Sequence, residues 1–207
     1  MREPDTTRGA ATLDVSMLAP GAFGHRSLMW WGTLGLVVIE GTAFALAVGA
    51  YFYLRTRVPT WPPDGIAPPD LRWGTVNTLL LLISGVPNQL ARTAAERVDL
   101  SRVRLWLAAA ILTGIGFNIV RVYEFKTLNV LWNTDAYGSI VWQLLGMHTV
   151  HILTEVGDTL VLAALMVLGP IEEKRFVDVE ENSVYWYFVV AAWLPIYGVI
   201  YWAPRLI

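Results

Sequence analysis

Cysteine is absent from the 207-residue chain, which excludes disulfides, thiolate metal sites, iron–sulfur clusters and covalently attached haem. Charge is scarce as well: charged residues make up 15% of the sequence and the formal net charge is −2. No basic patch of the kind nucleic acid requires is present, so nucleic acid is not expected as a partner. No internal repeat or low-complexity tract occurs, and the linkers are too short to hold a second soluble domain. Residues 1–27 carry mixed charge, Gly, Pro and Thr without a short apolar core beside a small-residue cleavage site. They read as a soluble tail, not a signal peptide, and the first apolar helix reads as an anchor.

What the chain does have is apolar sequence in long blocks. Hydrophobic residues make up 55% and the mean hydropathy is +0.49. The blocks cover 28–54, 73–90, 103–122, 140–168 and 184–202, each about as long as the roughly twenty residues a spanning helix needs. The expected fold is an all-α membrane bundle of five transmembrane helices over residues 28–207. Nine Lys and Arg fall in the tail and in the loops on its side, against six on the opposite side, which favours a cytoplasmic N-terminus and an outer C-terminus. Many aromatics, among them Trp30, Trp31, Trp132, Tyr137, Tyr185, Trp186, Tyr201 and Trp202, lie at block edges, as in an interfacial belt. Residues 60–70 (TWPPDGIAPPD) read as a stiff outer loop whose Pro-Pro-Asp-Gly sets a bend, with Trp61 and Trp73 at the interface.

Ionisable groups inside these blocks are the functional candidates. Glu40 stands near the middle of the first block, where a carboxylate costs on the order of 3 kcal/mol and so must face protein, a lipid headgroup or water, or carry a proton. In the fourth block His148, His151, Glu155 and Asp158 follow at steps of 3, 4 and 3. At about 100° per residue they share one stripe, which is expected to turn inward. Three readings of the stripe stand side by side. A metal site is weakened by the lack of a Glu-x-x-His pair on a second helix. The histidines can be interhelical hydrogen-bond partners, with the acids reaching water. Or the stripe and Glu40 form a polar cleft that holds a lipid headgroup or buffers protons. Haem between helices needs imidazoles on facing helices, and both membrane histidines are on one, so this chain is expected to carry no haem, no copper and no other metal. Glu124 beside Arg121 reads as a structural ion pair at the interface. Glu180 and Trp186 are further structural polar candidates.

Six segments in this order resemble cytochrome c oxidase subunit III: IEGTAF with Glu40, TWPPDGIAP, NTLLLLISG (77–85), VYEF with Glu124, AYGSIVWQLLGMHTVHI with His148 and His151, and ENSVYWYF with Tyr185 and Trp186. The likeness runs over about residues 30–202 and fits the shortened five-helix bacterial forms. Where the family usually reads Tyr-Trp-His-Phe-Val-Asp, this chain has Tyr187 for the histidine and Val190 for the acid. Glu155 and Asp158 are additions to an otherwise apolar pattern.

The resemblance implies an accessory, non-redox subunit in a bacterial plasma membrane. Such a subunit packs on the catalytic subunit of a haem-copper oxidase, which holds the haem and copper. It also implies phospholipid in a cleft faced by Glu40 and sustained proton uptake during oxygen reduction. Arg72 and Arg92 are candidate headgroup partners from position alone. The alternatives are an accessory subunit of a nitric oxide reductase and, in another class, a small proton-coupled transporter relaying through Glu40, His148 and Glu155.

Overall fold

A computed structural model of the protein describes residues 23–63, 65–170 and 172–206. Most of the expected tail, including Arg2 and Arg8 of the charge count, lies outside the described residues. A short 3-10 turn, Gly24–Arg26, leads into five long helices: α1 Leu28–Arg55, α2 Leu71–Glu96, α3 Leu100–Lys126, α4 Ala136–Leu168 and α5 Glu173–Tyr197. The starts of α1 to α4 are capped by side chains. Ser27, Asp70, Asp99 and Asp135 accept from the backbone N–H of Met29, Arg72, Arg102 and Gly138, supplying partners to amides that the helix leaves open. The five apolar blocks correspond to the five helices. The structure differs at the polar ends, where 173–183 continues α5 well before the apolar block begins. Phe176, Val177 and Val179 are buried there, so packing extends the helix where composition alone does not.

Helices α2, α3, α4 and α5 form a closed ring in which each packs on its two neighbours, and α1 lies outside it against α4 and α5. The core is apolar with polar groups set into it, and the surface is apolar as well. Asn77, Ser84, Asn88, Arg121, Glu124, His148 and Glu155 are buried, while Ile39, Leu46, Leu112 and Leu168 are exposed. A surface of this kind is stable in hydrocarbon and an aggregation hazard in water. Among the described residues, four stretches are long and apolar enough to cross a membrane: α1, α3, α4 and 174–206, the last including α5 and its continuation. Helix α2 is not among them, because Asn77, Ser84, Asn88 and Gln89 lower its hydropathy. Three of these four residues face the ring, while Leu79, Leu82, Ile83 and Val86 face outward.

Past Pro195 the last helix loosens into a π-helical turn, Gly198–Trp202, and ends with Ala203–Leu206. Proline removes one backbone donor, and the wider turn accommodates that loss. It also carries Tyr201 into the core against Gly74. A Cβ on Gly74 would come 2.5 Å from the Tyr201 ring, so Gly74→Ala should push that ring aside and cost roughly 1–3 kcal/mol. Unfolding midpoints in detergent check this, and an unchanged midpoint would contradict the close packing.

The aromatic belt is only partly interfacial. Trp31, Trp132 and Trp202 are exposed, but Tyr137, Trp186 and Tyr201 are core residues. Two of these place a polar tip on a buried acceptor, Trp186 on Ser84 and Tyr201 on Glu124, as amphipathic rings do when a partner exists. Trp61 also turns inward, edge-on between Tyr51 and Tyr137 at centroid distances of 5.2 and 5.0 Å. Trp73 stacks on Tyr123.

Candidate functional site

Two polar sites occupy the bundle. The first is sealed inside the ring. Arg121 and Glu124, one turn apart on α3, form an ion pair at 2.9 Å with side-chain exposures of 1% and 0%. The expected pair is present, with both side chains buried inside the ring. Helices α2 and α5 complete it: Asn77 donates to Glu124 Oε2, and Tyr201 donates to Oε1 at 2.5 Å. A buried pair persists only when neighbours satisfy its remaining hydrogen-bonding capacity, and these two residues do so for the carboxylate. The guanidinium lies over the rings of Phe117 and Trp193, 4.7 and 4.2 Å from their centroids, a geometry that favours a desolvated cation.

His148 belongs to this site. Its Nε2–H donates to the carbonyl of Val189 at 3.1 Å, leaving Nδ1 to accept from Arg121 Nη2 at 3.2 Å. The ring links α3, α4 and α5. Replacing it with Leu removes both contacts and leaves a buried guanidinium N–H and a carbonyl without their partner. His148→Leu should therefore cost roughly 1–3 kcal/mol of stability. An unfolding midpoint equal to that of the unmodified protein would show that the ring is not interhelical glue.

The second site is the lateral cavity between α1, α4 and α5. All the buried residues of α1 (Phe44, Ala47 and Tyr51) lie in its second half. Over the first half α1 leaves room for a cavity of about 580 Å³, lined by Thr33, Leu36 and Glu40 of α1, Glu155 and Asp158 of α4, and Glu181 and Tyr185 of α5, among others. Tyr185 donates to Glu40 Oε2 at 2.5 Å. His151 gives its Nδ1–H to the carbonyl of Met147 and turns Nε2 toward the same carboxylate oxygen at 3.6 Å. Deeper in the wall, Glu155 accepts from Asn182 at 2.7 Å.

The stripe on α4 therefore divides. His148 enters the ring, Glu155 is buried against α5, His151 meets Glu40, and Asp158 is exposed at the cavity edge. Among the described residues, no group of three or more His, Asp or Glu is placed to hold a metal ion. Arg92 joins Glu96 and Glu180, and Glu180 also accepts from the backbone N–H of Gly24, fastening the entry segment to α2 and α5. Arg72 lies at the other end of α2 over the ring of Trp73. Neither arginine lines the cavity. Residues 178, 181, 182 and 185, which a helix brings to one face, were not grouped by sequence reasoning. Their i, i+3, i+4, i+7 spacing is the signal that could have found them. Tyr187, standing where the resemblance expects histidine, donates to Gln89 at 2.5 Å.

The family model described as cytochrome c oxidase subunit III matches residues 27–204. Curated relatives named cytochrome c oxidase subunit 3 include one from Synechocystis sp., 27% identical over 186 residues that cover 88% of this chain and 79% of the relative. One from Thermostichus vulcanus is 26% identical over 187 residues, covering 89% and 92%. One from Rattus norvegicus is 30% identical over 181 residues, covering 83% and 68%.

Proposed function

Because the chain belongs to the cytochrome c oxidase subunit III family, we propose that it is the accessory, non-redox membrane subunit of a bacterial haem-copper terminal oxidase. In this reading residues 1–27 form a tail and 28–207 the membrane domain. All five helices span, with the N-terminus in the cytoplasm. The spanning of α2 is supported by its polar face being turned into the ring and its Leu79, Leu82, Ile83 and Val86 face being turned outward, which hides its polar groups from lipid. The subunit packs on the catalytic subunit that carries haem and copper. It holds phospholipid in the lateral cavity and supports proton uptake during oxygen reduction.

The observation that carries the site assignment is the placement of Glu40. It lies near the middle of α1 on an open cavity, with Tyr185 donating to it and His151 at 3.6 Å. A carboxyl so placed can exchange a proton with its neighbours without ligating a metal. His148, with both ring nitrogens engaged inside the bundle, has a structural part. Glu124, Glu180 and Trp186 are likewise structural in this reading.

The test is Glu40→Gln in the native complex. The side-chain shape and one hydrogen-bonding end are preserved, so assembly and the haem and copper content of the complex should be unchanged. Proton uptake, or the number of turnovers before inactivation, should fall. Loss of haem or copper from an otherwise assembled complex would overturn the accessory reading. The haem spectrum and subunit composition of that complex separate a terminal oxidase from a nitric oxide reductase.

A further inference from the structure

The lateral cavity is chemically one-sided. Five carboxylates line it, Glu40, Glu155, Asp158, Asp178 and Glu181, and no lysine or arginine among the described residues does. Two are answered by protein groups near the cavity: Asp178 by Arg175 at 3.4 Å, and Glu40 by Tyr185 and His151. Glu155 has only the neutral amide of Asn182. Glu181 is the most informative. It is 6% exposed, and neither carboxylate oxygen has a hydrogen bond of proper geometry, although Thr33 of α1 lies near enough to interact. A buried carboxylate without a donor is costly enough that it needs either a proton or a ligand.

The walls bear on which ligand it is. Met29, Leu36, Val161, Leu162 and Leu165 line the cavity alongside the acids. From Met29 to Glu40 the helix rises about 16 Å, about half of the roughly 30 Å hydrocarbon thickness. The cavity thus reaches from one membrane interface to the midplane, the depth of one leaflet. An apolar wall over that depth fits a hydrocarbon chain, and the acids fit a cation attached to it. A phosphate-only anionic headgroup would meet Asp158, Asp178 and Glu181 with no arginine of the cavity lining to offset the repulsion.

We propose that the cavity selects phospholipids whose headgroup carries an amine, with Glu155, Asp158 and Glu181 as the acceptors of its charge. The proposal rests on the lipid-binding reading above and assigns the headgroup class. The headgroup lies among Asp158, Asp178 and Glu181, beside Thr33 one turn inside Met29, and the chain runs inward past Leu36.

The test uses the purified oxidase complex, stripped with detergent and re-equilibrated with an equimolar mixture of phosphatidylethanolamine and phosphatidylglycerol with identical chains. Retained lipid is counted by native mass spectrometry, and the difference between unmodified complex and an Asp158→Asn, Glu181→Gln variant isolates this site. The unmodified complex should favour the ethanolamine lipid there by about fivefold, the factor that about 1 kcal/mol per charge gives at a membrane surface. The variant should lose that preference. Carbodiimide treatment of the retained complex should then couple the headgroup amine to Glu155, Asp158 or Glu181 as an amide, detected on the corresponding peptides. Phosphatidylcholine, which has the charge but no N–H, should give retention without coupling.

Equal or stronger retention of phosphatidylglycerol at the site would overturn headgroup selection while leaving the lipid reading intact. Retention of neither lipid would overturn the lipid reading itself, and with it the proposal; the acids would then be neutralised by protons. Equal occupancy by soluble ethanolamine would overturn the proposal, since the site would then bind an amine without a phospholipid.

Discussion

Arg121→Leu should destabilise the bundle by roughly 3–5 kcal/mol, because it removes one partner of an ion pair whose side chains are 1% and 0% exposed. The loss is not that of a surface salt bridge, which is worth about 0–1 kcal/mol. Glu124 would be left in the ring with Asn77 and Tyr201 as its donors, and His148 would lose the guanidinium at its Nδ1. The second half of the experiment decides the cause. Arg121→Leu with Glu124→Leu removes both charges, so it should cost less than the single change despite deleting more contacts. It should not return to zero, since the donors of Asn77 and Tyr201 are then unpaired in the core, at about 1–3 kcal/mol together. Denaturant unfolding of the detergent-solubilised chain measures both. A double variant as unstable as the sum of its singles would mean that packing, not uncompensated charge, dominates.

The same network shows what the sequence can and cannot convey. Five helices could be read from the apolar blocks, because length and hydropathy announce a long apolar helix, although α2 falls short of the other four in hydropathy. The stripe of α4 could be read further: at about 100° per residue the order around the helix is Asp158, His151, Glu155, His148. That is also the order of increasing burial, from exposed Asp158 through His151 to Glu155 at 2% and His148 at 0%. What periodicity cannot give is the partner. Nothing in the spacing of Arg121 and Glu124 tells whether that face meets lipid, headgroups or the ring, so an interfacial pair and a core pair have the same sequence. Tyr201 reaches Glu124 from the π-helical turn after Pro195, a local irregularity with no reliable signature. The cavity was invisible for a related reason. It results from α1 diverging from α4 and α5 over its first half, and depends on three helices at once.

Trp193 is where the two halves of the network join, and Trp193→Ala should cost about as much as breaking the ion pair, roughly 3–5 kcal/mol. The indole is fully buried. Its N–H donates to Thr78 of α2 at 2.8 Å, its face lies 4.2 Å from the Arg121 guanidinium carbon, and His148 is tilted against it at 4.9 Å. Three contributions can be separated by graded replacement. Phe at 193 retains most of the volume and a ring face under Arg121, and loses the donor to Thr78, which is worth about 1 kcal/mol. Leu retains bulk but removes the ring quadrupole, adding up to about 2 kcal/mol for a desolvated cation. Ala adds the cavity. The expected order of stability is therefore Trp, Phe, Leu, Ala, measured by unfolding midpoints in detergent. If Phe is as damaging as Ala, the hydrogen bond to Thr78 dominates and the cation–π account is wrong. The ion-pair variant offers a second check. Once Arg121 is Leu the ring has no cation to cover, so Trp193→Leu should cost less in that background than in the unmodified chain by about the cation–π contribution.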